Sequence, residues 1–303
     1  MKKLLFSLFS IFNIACQAIE IDMSILNDIS KDISNGLAVP TIVGPDDRKE
    51  ITGKAVGPEK AVIIIEKQGK LHCSGAMVGP NIVLTAAHCL FNEDGNYETG
   101  LIVYAVGLPS LKIPPGEGDP LYKIRIETLS SYLNLYPDAA AKELWVPDQY
   151  IQATLSARPN QITEKQRFYD YGFIILDNDL GNKTHRLGLK VPSNEELNEA
   201  NVIAIGRSSD KPSRSLWKSP GQIGEVEKYF VYHNVDIIGG DSGSPLFKEN
   251  DPKNIIALNT SGFGQFWVSI GFIDYPNCAL RIRQEMIDAL KNLEKEISET
   301  NKK

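Results

Sequence analysis

Gly239-Gly240-Asp241-Ser242-Gly243-Ser244-Pro245 can present one serine hydroxyl beside backbone amides that are free to bind an oxyanion. Glycines at 239, 240 and 243 let the backbone turn sharply and approach a substrate carbonyl without side-chain obstruction. The amides of Gly240 and Ser242 can then point at the charge that develops there. A serine hydroxyl is protonated at neutral pH and attacks poorly, so Ser242 as a nucleophile needs a base in contact and a group that orients the base.

Both are found upstream. In Val83-Leu84-Thr85-Ala86-Ala87-His88-Cys89 a histidine follows a strand-like apolar run, whose rigid end can aim the ring, so His88 is the candidate base. The imidazolium formed when His88 takes a proton needs a buried carboxylate to stabilise it. Asp94 and Asp119 sit in hydrophilic loops and Asp177 and Asp179 in a polar cluster, whereas Asp170 stands at the mouth of the apolar run Tyr171-Gly172-Phe173-Ile174-Ile175-Leu176. Asp170 is therefore the candidate orienting acid. The chain order is His, Asp, Ser, and Ser244 occupies the second position after the nucleophile. Both features oppose an α/β-hydrolase, which runs Ser, Asp, His and carries G-x-S-x-G.

From Thr41 onward the chain reads as short β-rich runs separated by Gly, Pro, Asn and Asp: 61–66, 74–78, 82–85, 102–106, 122–126, 173–176, 202–205, 230–235, 245–247, 255–258 and 266–273. Such spacing predicts an all-β barrel or sandwich. The polar stretch Asp177 to Glu199 reads as a crossing between two halves. Phe91 to Gly100 and the proline-rich Pro109 to Pro120 read as long loops, which carry specificity more often than stability. Only the last segment has helical periodicity, with Met286, Ile287, Leu290, Leu293 and Ile297 recurring every three or four residues.

The 303 residues are 42% hydrophobic and 23% charged, as expected of packed domains. A net charge of −6 without a Lys/Arg stripe argues against nucleic acid as a partner. Met1 to Ala18 begins with Lys2 and Lys3, continues as an apolar run from Leu4 to Ala15 and ends in small or polar residues. This is the pattern of a secretory signal peptide, and the run is too short to span a bilayer. Cleavage after Ala18 implies a secreted or periplasmic protein, and lipid modification of Cys16 is the alternative. In an oxidising compartment Cys73 is expected to pair with Cys89, leaving Cys278. That bridge would hold the base in place and stabilise the fold by about 3 kcal/mol through chain entropy. A zinc site from His72, Cys73, His88 and Cys89 lacks a standard ligand spacing. No D-x-D-x-D-G calcium loop is present.

Cys73-Ser74-Gly75, Leu84 to Cys89, Asp170 and Gly240 to Pro245 resemble the trypsin/chymotrypsin-type serine peptidases. Asp46-Asp47-Arg48 with Ile51-Thr52, Asp170-Tyr171-Gly172 and Gly239-Gly240 ahead of Ser-Gly-Ser-Pro resemble the bacterial glutamyl endopeptidase subgroup. The resemblance, over about Thr41 to Leu290, implies two six-stranded antiparallel β-barrels with the active site in the cleft between them, plus a C-terminal α-helix. Expected boundaries are a signal peptide at 1–18, a pro-segment or arm at 19–40, a first barrel at 41–180, a second barrel at 181–276, and a helix and tail at 277–303.

The resemblance further implies protein or peptide substrates, no cofactor and no metal, with His88, Asp170 and Ser242 catalytic and Gly240 and Ser242 in the oxyanion hole. The specificity pocket would be lined by Asp236, Asn259, Thr260 and Gly262, with Ser261 and Ser269 or Gly271 nearby. Asp236, six residues before Ser242, matches the acid that selects Lys or Arg. Asn259 stands where glutamate-specific members carry a histidine. Glu, Lys/Arg and small residues all remain open as the residue before the cut. Thr41-Ile42-Val43-Gly44 resembles the new amino terminus of activated zymogens, with Asp241 as the acid that could receive it, although Pro40 precedes the cut. A protease-fold binding or adhesive module is the alternative function.

Overall fold

A computed structural model describes residues 41–51, 55, 57–105, 138–158, 162–212, 215–262 and 274–300. The expected leader and arm, Cys16, the Pro109 to Pro120 loop, the strands expected at 122–126 and 266–273, and Ser269 and Gly271 lie outside the described residues.

Strand β1 (Lys49–Glu50) leads to β2 (Val62–Lys67), β3 (Lys70–Met77), β4 (Ile82–Thr85), β5 (Leu101–Ala105), β6 (Asp138–Trp145) and β7 (Gly172–Leu176). Strands β2 to β7 close a six-stranded antiparallel barrel in the order β2-β3-β4-β7-β6-β5. After a crossing segment come β8 (Gly188–Leu189), β9 (Asn201–Gly206), β10 (Trp217–Val226), β11 (Phe230–His233), β12 (Pro245–Lys248), β13 (Asn254–Ile255), β14 (Ala257–Gly262) and β15 (Asn277–Arg281). Here β9-β10-β11-β15-β14-β12 form the second ring, closed by pairing of β9 with both β10 and β12. The expected two six-stranded barrels are thus present. The amino-terminal segment adds β1 to the outer edge of β10 in the second barrel, with Lys49 opposite Lys218.

Alternation along two strands explains how the barrels join. Ile63 and Ile65 of β2 point into the first barrel, while Val62 and Ile64 face outward. On β9, Val202 and Ala204 fill the second barrel while Ile203 and Ile205 face the first. The outward sets meet with Leu216 and Phe247 in a shared apolar layer. Full burial of each of the larger aliphatic side chains contributes on the order of 1.5–3 kcal/mol. Strands buried on both faces read as continuous apolar runs, which is why Val-Ile-Ile-Ile in β2 shows no polar alternation.

Five α-helices and two short 3-10 helices, Gly57–Ala61 and Ala87–Cys89, complete the elements of the described residues. Helices α1 (Asp148–Leu155) and α2 (Glu164–Phe168) lie between β6 and β7. Thr163 opens α2 with a capping box to Gln166. Helices α3 (Leu180–Lys183) and α4 (Asn194–Leu197) lie in the crossing segment, and α5 (Gln284–Thr300) ends the chain with Met286 and Leu293 buried. The last barrel strand, β15, occupies residues expected to begin the terminal helix. Its Asn-Cys-Ala-Leu-Arg run is buried throughout, so it belongs to the second barrel.

Cys73 on β3 is disulfide-bonded to Cys89, 16 residues away, and Cys278 is a buried free thiol. Replacing Cys73 and Cys89 together by serine is expected to lower the unfolding free energy by about 3 kcal/mol. Denaturant titration measures this, and an unchanged midpoint would contradict a structural role for the bridge.

Candidate active site

Strand β4 ends at Thr85, and an extended Ala86 turns the chain into a 3-10 turn at Ala87–Cys89. Ala87 and Cys89 are fully buried and act as pegs, while the His88 side chain between them is 38% exposed. The pairing of Thr85 with Gly172 on β7 sets Asp170, two residues before that strand, against the His88 turn. Asp170 holds His88 at two points. Its Oδ1 accepts the backbone amide of His88 at 2.9 Å, and its Oδ2 accepts Nδ1–H at 2.8 Å. With the proton on Nδ1, the Nε2 lone pair of the neutral ring is free to accept. Burial depresses the His88 pKa, but the charge and hydrogen bond of Asp170 outweigh it, leaving the imidazole above its ordinary value.

Ser242 comes from the second barrel, in the turn before β12. The amide of Ser74 on β3 donates to Ser242 O at 2.9 Å, and the Ser74 hydroxyl donates to Gly240 O at 2.8 Å. Thr85, at the end of β4, donates its hydroxyl to Ser74 O at 2.8 Å. The turn carrying Ser242 is therefore bonded to β3, which is bonded in its turn to the end of β4 that leads into the His88 turn, and Cys89 Sγ lies 4.0 Å from Ser242 O. Gly243, at φ +79°, is pressed so closely on this seam that a Cβ there would run into Thr85 Oγ1 and Ser74 O. Gly240, at φ +96°, has no room either, since a Cβ would meet Arg207 O at 2.6 Å.

The expected pocket residues occupy less uniform positions. Asp236 is buried, and its carboxylate is taken up by backbone amides: Val43 donates to Oδ1 at 2.7 Å and Asp47 to Oδ2 at 3.3 Å. Burial raises its pKa against the pull of those two amides. Asn259 has no exposed surface; its Nδ2 donates to Ser244 Oγ at 2.9 Å, and its backbone carbonyl accepts the Gly243 amide at 2.8 Å. It stands behind the Ser242 turn. Thr260 sits at a bulge in β14, between Asn259 paired with Ala279 and Ser261 paired with Cys278, and is partly exposed. Gly262 lies opposite Asn277.

Sequence reasoning missed Asn277. Its Oδ1 accepts the Thr41 amide at 2.9 Å, and its Nδ2 donates to Thr41 O at 2.7 Å and to Val235 O at 2.8 Å. The amino-terminal segment is thus docked at Asn277 and Asp236. No local signal marks that contact, because its partners are 189 to 236 residues apart. The sulfurs of Cys73 and Cys89 and a ring nitrogen of His88 lie within 4.8 Å of one another. The two sulfurs are bonded to each other, so neither is available to a cation as a thiolate.

The chain resembles known proteins in sequence and in fold. The trypsin family model matches residues 51–111, which include His88 and both bridged cysteines. Glutamyl endopeptidase of Bacillus licheniformis is 24% identical over 84% of this chain and 69% of its own length. These likenesses support a trypsin-like serine peptidase close to the glutamyl endopeptidase group. An extracellular metalloprotease of Bacillus subtilis is 23% identical over 78% of the peptidase and 66% of its own length. A solved structure described as a Glu endopeptidase in complex with MPD shares the fold, with a TM-score of 0.61, 20% identity, and coverage of 84% of the peptidase and 99% of that chain.

Because the Gly243 turn has neither the space nor the backbone angle for a side chain, Gly243→Ala in the peptidase is expected to push the Ser242 turn off β3 and β4. Strain of this kind costs on the order of 1–3 kcal/mol, so the melting temperature should fall together with turnover. A variant with wild-type stability and activity would contradict the described packing.

Proposed function

We propose that this serine endopeptidase is exported and cuts peptide bonds by nucleophilic attack of Ser242. In this scheme His88 acts as base, Asp170 orients and stabilises it, and the amides of Gly240 and Ser242 receive the oxyanion. The observation that carries the reading is the two-point hold of Asp170 on His88, beside a turn bonded to β3 through Ser74. Ser242 Oγ adds to the scissile carbonyl as His88 Nε2 takes its proton. The imidazolium then gives that proton to the leaving amine, and water resolves the acyl-enzyme by the same exchange in reverse. Export is supported by the leader pattern and by the Cys73–Cys89 bridge, which suits an oxidising compartment.

For the residue before the cut we favour glutamate. Its support is the name of the relatives, together with the engagement of Asp236 by two amides of this chain, which leaves no free carboxylate to attract a Lys or Arg side chain. Burial of Asn259 behind the turn removes it from direct contact with substrate and with it the objection that it replaces a histidine.

Ser242→Ala is expected to lower kcat/KM on unfolded protein substrate by at least about 10⁴-fold, since members of such a unit fail together. Retention of activity in the folded variant would refute the nucleophile. The rate of the wild type should rise with pH as His88 loses its proton, with a midpoint above the ordinary imidazole value of about 6.5. A midpoint below that value would mean that Asp170 does not stabilise the charged ring. Cleavage-site profiling on a mixed peptide library should centre on Glu, and a profile centred on Lys/Arg would overturn the specificity.

A further inference from the structure

The turn that presents Gly240 is held by side chains to which the proposed chemistry gives no part. Asp241 is 4% exposed, and its Oδ2 accepts the Ser208 hydroxyl at 2.6 Å and the Ile238 amide at 2.9 Å. Ser208 is itself 1% exposed, and its carbonyl accepts Arg207 Nη1 at 2.9 Å. The residues on either side of Ser208 bond the same turn. Ser209 N donates to Gly239 O at 2.7 Å, and Arg207 N donates at 2.9 Å to the Ser74 hydroxyl that holds Gly240 O. Burial pushes the Asp241 carboxyl up to about 6, against the pull of Ser208 and Ile238, so the donors on it matter to whether a charge is kept there.

The segment resembling an activated amino terminus is tied elsewhere. The Thr41 amide and carbonyl are paired with Asn277, and Val43 N is on Asp236. Asp241 thus already has its donors from Ser208 and Ile238.

We infer that Ser208 is a positioning residue: by fixing Asp241 it aims the Gly240 and Ser242 amides at the oxyanion without need of a free amino terminus on Asp241. This rests on the reading of Ser242 as nucleophile and of those amides as its oxyanion donors. A buried hydroxyl serving only the fold would affect stability alone. One serving the oxyanion site affects the step in which negative charge develops.

The test compares wild type, Ser208→Ala and Ser208→Thr for kcat, KM and inhibition by a peptide aldehyde, which Ser242 would convert to a hemiacetal in the oxyanion site. Ser208→Ala should lower kcat by about tenfold or more with KM within about twofold, and should weaken the aldehyde by a similar factor. Ser208→Thr, which keeps the hydroxyl, should recover to within about threefold of wild type. Wild-type kcat in Ser208→Ala, or a loss confined to KM, would overturn the inference. A second measurement does not depend on the folding of that variant: the rate at which a small fluorophosphonate labels Ser242 in the chain with Pro40–Thr41 intact and in the chain beginning at Thr41. The two rates should agree within about threefold, and acceleration of about a hundredfold on removal of the preceding residues would overturn the inference. Wild type that neither hydrolyses peptides nor takes label refutes the nucleophile assignment itself, whereas active wild type with an unaffected Ser208→Ala refutes only the role of Ser208.

Discussion

Four hydrogen bonds converge on Ser74, and the arrangement of both barrels about the candidate site depends on them. Its amide reaches Ser242 O, its hydroxyl reaches Gly240 O and accepts from Arg207 N, and its carbonyl accepts from Thr85. Each such bond has a modest net value of about 1 kcal/mol, but Ser74 has no exposed surface, and a buried group left unpaired costs more than the bond contributes. The seam therefore has one favourable register. In that register the turn with Ser242 is seated on the strands that carry the His88 turn. The apolar layer of Val62, Ile64, Ile203, Ile205 and Phe247 presses the barrels together without setting that register.

The glycines follow from the same seam. Gly243 is so close to Thr85 and Ser74 that only hydrogen fits, and Gly240 is similarly confined by Arg207 O and Leu71. A turn with no side chains at these positions leaves its amides unobstructed for a ligand. Hydrogen bonds to β3 and the Arg207–Ser209 segment, with Gly243 packed against Thr85 of β4, hold it in a single geometry. In the proposed reaction that preorganisation replaces reorganisation of solvent around the developing charge.

Much of this was legible in the sequence because it is local. Continuous apolar runs such as Val62 to Ile65 mark strands buried on both faces, and Asp170 before Tyr171 to Leu176 marks an acid at a strand mouth. Helices α1 and α2, of eight and five residues, are too short for a 3.6-residue period to emerge. Strand β15 is buried on both sides and carries Asn277 and Arg281, so its pattern neither alternates nor looks wholly apolar. Asp236 was the least legible residue. Its distance from Ser242 suggested a specificity acid, and only the folded chain brings the Val43 and Asp47 amides onto its carboxylate. The Gly-rich turn at Ser242 is encoded in its own residues, whereas the surroundings of Asp236 depend on contacts with Val43 and Asp47, which are distant in the chain.

The most direct test of the account is whether the seam presents Ser242 to a neutral His88 held by Asp170. Intact-mass and fragment mass spectrometry of folded protein exposed to a fluorophosphonate should find a single adduct on Ser242, formed at least about 10³-fold more slowly in His88→Ala. An unmodified Ser242 in folded wild type, or an adduct rate indifferent to His88, would contradict it.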